Sequence, residues 1–285
     1  MPHLAGLELA QTWCSPAAEL PQLLQHPNLA RLQLLRLDAD TSSRLIVDTM
    51  GLIAHLSQLL TLDVAVPWGA TGVALLQPLA GASALTDLTV RPDRWVVHGA
   101  LLSAVGAFAG LRRLSLHRVI FYTDMFLDLC SSANMSRLQH LELTDCVVTP
   151  LGNPPGPEES RAAFSALEQL QSLLLDRMFG VNRLLPHLHC APTRRLLSIR
   201  CEPDYHDIGG SRSPLPRRDV LSALLTSAPQ LEVRLLMPAT LDRWLTRGQS
   251  DGVGRAMSEQ QWREFQRMGA VMERVIIVDE EPHSA

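Results

Sequence analysis

Apolar residues recur along this chain in a fixed unit, L-x-x-L-x-L, with leucine at the first, fourth and sixth places and mostly polar or small residues between. The unit is clearest at Leu111 to Asp124 (LRRLSLHRVIFYTD) and Leu138 to Thr149 (LQHLELTDCVVT), whose starts lie 27 residues apart. Alternation over its last places is the period of a strand with one buried face. Used as a ruler, the unit predicts nine strands, beginning at Leu4, Leu29, Leu59, Leu85, Leu111, Leu138, Leu170, Arg194 and Gln230. Spacings run from 24 to 36 residues, long enough for an α-helix in each return segment.

The intervening segments carry that second period. Ser42 to Leu56, Gly72 to Leu79, Val97 to Phe108, Thr123 to Ala133, Glu158 to Leu170 and Leu215 to Thr226 place apolar residues at i, i+3 and i+4. Thr123 or Asp124 suits the N-cap of one helix, and Pro157 the first turn of another. Strand then helix, repeated, predicts an α/β chain with a parallel sheet. The unit is also the leucine-rich repeat signature, which implies a solenoid with the curved sheet on its concave side and the helices on its convex side.

The solenoid is expected over residues 1–237, in about nine repeats, with 238–285 as a C-terminal capping region. Ser258-x-x-Gln261 resembles a capping box opening a helix through Met272, and Arg274 to Val278 reads as a final strand. No matching cap precedes Leu4, so the expectation is a fragment, or a first repeat covered by another domain or subunit. Two insertions, 150–157 and 203–216, are rich in proline and glycine and should project from one rim, as binding loops or as tolerated surface length.

Alternation turns the fourth and sixth places into the core and the third, fifth and seventh onto the concave face. These are Arg31, Gln33, Asp63, Asp87, Thr89, Arg91, Arg113, Ser115, His117, His140, Glu142, Thr144, Asp176, Arg200 and Arg234. Arg91, Arg113, His117, His140, Glu142, Asp176 and Arg200 are the candidate partner-binding residues, since charges of both signs interspersed on one face suit a protein partner. Trp13, Trp68, Trp95 and Phe121 fall nine or ten residues after their repeat starts, and core packing is the expectation for all four.

Composition sharpens this in three respects. Hydrophobic residues make up 46% of the chain but aromatics only 5%; leucine makes up the difference, and none lies beyond Leu245. All 25 basic residues are arginine, which excludes Schiff-base lysine and P-loop chemistry and removes every internal lysine acceptor for ubiquitin. A formal net charge of −4 argues against a dedicated nucleic-acid binder. The five cysteines lack C-x-x-C spacing and read as reduced, mostly buried thiols of a cytoplasmic or nuclear protein. Val64 to Thr86 carries no charge, but Pro67, Gly69, Gly72, Pro78 and Gly81 break it, against a membrane span.

No motif points to catalysis or a cofactor: G-x-S-x-G, H-E-x-x-H and Walker A are absent, so the expectation is a non-enzyme. His187-Leu-His189-Cys190 lacks a fourth ligand and a shared helix face, so no metal is expected there. Asp204, His206 and Asp207 read as a solvated loop.

Leu138, Leu141, Leu143, Cys146 and Thr149, echoed by Leu111, Leu114, Leu116, Val119 and Thr123-Asp124, resemble the cysteine-containing leucine-rich repeats of F-box proteins. Those are substrate receptors of Skp–cullin–F-box ubiquitin ligases, and the resemblance covers roughly residues 4–237. It implies a protein partner, possible ubiquitination substrates among them, and a Skp-type adaptor only if an F-box lies outside this chain. Leu20-Pro21-x-Leu23-Leu24 falls in the helical half of a repeat and is not one. The alternative is a ribonuclease-inhibitor-like or GTPase-activating repeat protein regulating an enzyme. Ran GTPase activators resemble this architecture but end in a long acidic tail, whereas Asp279-Glu280-Glu281 is brief.

Overall fold

The computed structural model describes residues 5–9, 22, 24–37, 50–66, 76–92, 96–97, 99–149, 163, 166–167, 169–188, 196–200, 218–227, 231–238, 263 and 275–280. Ten strands form one sheet in which every pairing is parallel. In sheet order they are β1 (Gly6–Leu9), β2 (Leu34–Leu37), β3 (Thr61–Val66), β4 (Asp87–Pro92), β6 (Arg113–His117), β8 (His140–Thr144), β10 (Ser172–Asp176), β11 (Leu196–Arg200), β12 (Glu232–Pro238) and β13 (Val275–Glu280). Order follows sequence without a crossing, as stacked repeats require. The final strand adds to β12 with Val275 opposite Val233, so the sheet continues by one rung past the nine strands the ruler predicts.

The register shows why the unit specifies a fold. Leu35, Leu62, Leu88, Leu114, Leu141 and Leu173 stand side by side on successive strands, and each is almost fully buried. The first leucine of the unit is buried as well, at Leu59, Leu85, Leu111, Leu138 and Leu170. Helix residues such as Leu101, Val105, Phe126 and Leu129 belong to the same continuous core. A buried leucine is worth roughly 1.5–3 kcal/mol by transfer, so one such ladder outweighs the modest propensities of its short strands.

One strand lies in a different frame from the one predicted. LARLQLLRL contains two overlapping copies of the unit, starting at Leu29 and at Leu32. The chain uses the second: Pro27–Leu29 is a 3-10 turn, and Leu32, Leu35 and Leu37 are buried, whereas Leu34 is 43% exposed. Only this frame sets Leu35 between Leu7 and Leu62. Arg31 and Gln33 therefore leave the sheet face, and Leu34 and Arg36 occupy it.

A second parallel sheet, which the strand pattern does not predict, runs behind the first. It consists of β5 (Val96–Val97), β7 (Val119–Tyr122) and β9 (Val147–Thr149), with Phe179 bridging to Val147. Phe121, inside this layer, is fully buried and stacks on Phe126 with ring centroids 5.3 Å apart, as expected of a core aromatic.

The helices described from end to end are α1 (Gly99–Val105), α2 (Thr123–Ser131), α3 (Val181–Leu184) and α4 (Arg218–Ser227), and residues 50–53 are helical as well. Capping of α2 differs from expectation. Tyr122 is its N-cap, with no side-chain cap, while Thr123 and Asp124 lie inside the first turn and the Asp124 carboxylate accepts from the Met125 N–H at 2.8 Å. A carboxylate there still complements the helix dipole. Four-residue α3 has too few turns to show helical periodicity in the sequence. The insertions, all five tryptophans, His189, Cys190, Pro157 and the predicted 258–272 helix, apart from helical Arg263, lie outside the described residues. Among the described residues no helix is long and apolar enough to cross a membrane.

Candidate functional site

The face of the large sheet turned away from the helices collects side chains from every repeat. Register sorts them into three columns. The third-place column runs Leu34, Thr61, Asp87, Arg113, His140, Ser172. Fifth-place residues run Glu8, Arg36, Asp63, Thr89, Ser115, Glu142, Leu174, Ser198, Arg234. His117, Thr144, Asp176 and Arg200 form the seventh-place column, with Arg91 at the same place in the preceding strand. All seven candidate residues thus occupy positions of one face, spread over β4, β6, β8, β10 and β11.

Strands β1 to β6 carry ion pairs that cross from one strand to another. Arg36 lies 3.2 Å from Glu8 and 3.3 Å from Asp63, and Asp63 in turn lies 2.8 Å from Arg91. Arg113 lies 3.6 Å from Asp87, with its own side chain 61% exposed. Adjacent parallel strands stand about 4.8 Å apart, so opposite charges in register reach each other without leaving the face.

From β6 onward the chemistry changes. Ser115 and the His117 Nε2 are 3.0 Å apart, His140 Nδ1 and the Ser172 hydroxyl 2.7 Å, and the Thr144 hydroxyl donates to Glu142 at 3.1 Å. Ser115, Thr144 and Asp176, expected to be open on the concave face, are instead buried, so Asp176, a candidate contact, occupies the right face but is not presented on its surface. Burial holds the His117 imidazole below its ordinary pKa of 6.5; Arg91 pushes the same way, and Glu142, Asp145 and Asp63 oppose it. His117 is therefore neutral at neutral pH.

The rim just past this region holds residues the strand pattern did not single out. Arg118, Asp145 and Arg177 each occupy the eighth place of their repeat with φ near +50°. Their turn continues the ladder: the Arg118 N–H donates to the Thr144 carbonyl and the Asp145 N–H to the Asp176 carbonyl, both at 2.9 Å. Arg177 lies 3.0 Å from Asp145 and 3.6 Å from Asp176, balancing two largely buried carboxylates. The signal available in the sequence was the constant place of a polar residue two positions after the last strand leucine.

Cys146 sits one residue further, with Val119 and Met178 at the same place in the flanking repeats. It is fully buried, 3.3 Å from both the Leu116 and Thr144 carbonyl oxygens, and burial pushes its thiol up to about 12. Such a thiol is inert at neutral pH and serves packing. Cys130 is buried too. Among the described residues no three His, Cys, Asp or Glu side chains come together as a metal site. On the helix side, Leu102, Ser103, Gly106, Met125, Asp128 and Leu129 line a groove between α1 and α2, without a convergent reactive set.

No protein-family model matches the chain, and no curated protein does. Its register, with stacked parallel strands and the L-x-x-L-x-L core, is that of a leucine-rich repeat solenoid. Solved structures similar to it include an internalin of Listeria monocytogenes, 16% identical, which covers 78% of this chain and 64% of its own at a TM-score of 0.34. Another is a leucine-rich repeat protein of Leptospira interrogans, also 16% identical, covering 78% of this chain and 54% of its own at a TM-score of 0.38. The chain spans less than two thirds of the length of either.

Proposed function

We propose that this chain is a protein-interaction scaffold, not an enzyme, and that the open sheet face takes the partner. The observation that carries the reading is the face itself: polar side chains from consecutive repeats, in register, on a surface that no described helix covers. Charges of both signs, mostly paired, suit a protein partner and not a polyanion.

The finer reading is the substrate-recognition part of an F-box type ubiquitin-ligase adaptor, working in the cytoplasm or nucleus. It is supported by the resemblance of the Leu138 to Thr149 repeat, whose Cys146 is a buried packing residue, and by the lack of any lysine that the ligase itself could modify. A Skp-type adaptor would bind through an F-box outside residues 1–285. Affinity purification with mass spectrometry of the full-length gene product, wild type beside Arg113→Glu, tests both levels. The expected result is an adaptor recovered with both proteins and a second partner lost with the variant. Recovery of every partner with both proteins removes the open face as the site; absence of an adaptor removes the ubiquitin reading.

A further inference from the structure

Glu142 differs from the other carboxylates of the open face. Among the described residues, Glu8, Asp63, Asp87, Asp176 and Glu232 each lie within ion-pair distance of an arginine. Glu142 has no such neighbour among the described residues, and its hydrogen bond comes from the Thr144 hydroxyl at 3.1 Å. An ionised carboxylate accepts up to about four hydrogen bonds, so most of its capacity is open.

Its surroundings keep it so. Ser115 and Leu174 flank it in register on β6 and β10, and neither brings a charge. On the same strands, Ser115 is engaged with His117, and His140 with Ser172. Glu142 is half-buried at mid-face, so a cation delivered to it would exchange water for a charge-assisted bond in a partly desolvated seat.

We infer that Glu142 is the anchor for a basic side chain, arginine above all, presented by the protein partner. The inference rests on the scaffold reading and deepens it by naming the partner's chemistry. A guanidinium spans both carboxylate oxygens bidentately, and the flanking Leu174 gives its apolar stem a surface. The neutral state of His117 leaves the charge of Glu142 available. The charged groups facing His117 are Glu142 and Asp145 from β8 and its turn, Arg91 from β4 and Asp63 from β3. Protonating His117 sets a competing cation beside the anchor, so binding weakens below neutral pH.

Selection of a displayed library of random dodecapeptides on the purified full chain tests this. The expected peptides carry arginine or lysine, and a chosen peptide loses about tenfold in affinity on Glu142→Gln, or when its own basic residue becomes glutamine. The amide oxygen introduced by Glu142→Gln still accepts from Thr144, and an unchanged melting curve verifies the fold of that variant. Peptides that bind Glu142→Gln as well as wild type, yet are lost on Arg113→Glu, overturn the anchor and leave the scaffold reading standing. Peptides insensitive to both substitutions overturn both readings. A selection that yields no peptide with a basic residue also overturns the anchor.

Discussion

From β1 to β6 the open face is a ladder of arginines and carboxylates, each answered by an opposite charge on a nearby strand. From β6 to β10 the same places, on the same backbone register, turn largely to imidazoles, hydroxyls, Leu174 and the glutamate without an arginine, with Asp176 paired to Arg177 at the rim. Backbone geometry is common to the two regions, so it does not decide which part of the face is chemically open. What decides is whether a counter-charge stands one strand away. Pairing in the first region neutralises the face and stabilises it slightly, since partly exposed pairs are worth about 0–1 kcal/mol each. In the second region Ser115, Thr144 and Asp176 are buried, hydrogen bonds between polar side chains replace most of the ion pairs, and Glu142 has no arginine within ion-pair distance among the described residues.

The comparison assumes the register, and the harshest test is aimed there. Leu141→Arg places a charge without a counterion in the ladder between Leu114 and Leu173, and should cost about 3–5 kcal/mol in urea denaturation. Its chain neighbour Glu142, on the opposite face, should tolerate glutamine with a change below about 0.5 kcal/mol. Equal losses would refute the assignment of faces. Next in size is Gly180→Ala. Gly180 has φ +72°, and a Cβ there would lie 2.5 Å from the Val148 carbonyl oxygen. A loss of about 1–3 kcal/mol is expected, with faster amide exchange at Val148 and Phe179, whose backbone bonds join that turn to the second sheet.

Asp63→Asn probes the paired region. It removes the carboxylate shared by Arg36 and Arg91, whose side chains are 42% and 25% exposed, and should cost about 1 kcal/mol at low salt. The cost should shrink in high salt, because screening weakens the native pairs. A salt-independent loss would mean that packing, not charge, orders this half. The smallest effect expected is on pH dependence. His117 is held below 6.5 in the fold, so under acid the unfolded chain binds its proton first. Stability from this group is fully present above about pH 6.5 and falls as pH drops from there through the folded pKa. His117→Gln should flatten that part of a stability-against-pH curve; an unchanged slope would assign the acid sensitivity to other groups.

Much of this molecule is legible before folding is considered. The spacing of Leu59, Leu85, Leu111, Leu138 and Leu170 determined a parallel repeat fold, because each leucine needs the next copy of itself to cover it. Strand alternation then determined that Arg113, His117, His140 and Glu142 share a face, since a period of two leaves no other choice once Leu114 and Leu141 are inside. Tertiary structure decided what local pattern leaves degenerate. Leu29 and Leu32 open equally good frames, and only contact of Leu35 with Leu7 and Leu62 chooses between them. Val147–Thr149 and Val119–Tyr122 become a second sheet only when their repeats are stacked, for strands this short have no partner within their own repeat. The solitary state of Glu142 is likewise a tertiary property. The sequence shows His140 and Thr144, not arginine, two places either side of Glu142, but whether an arginine reaches it from another strand is decided by register, and there the neighbours are Ser115 and Leu174.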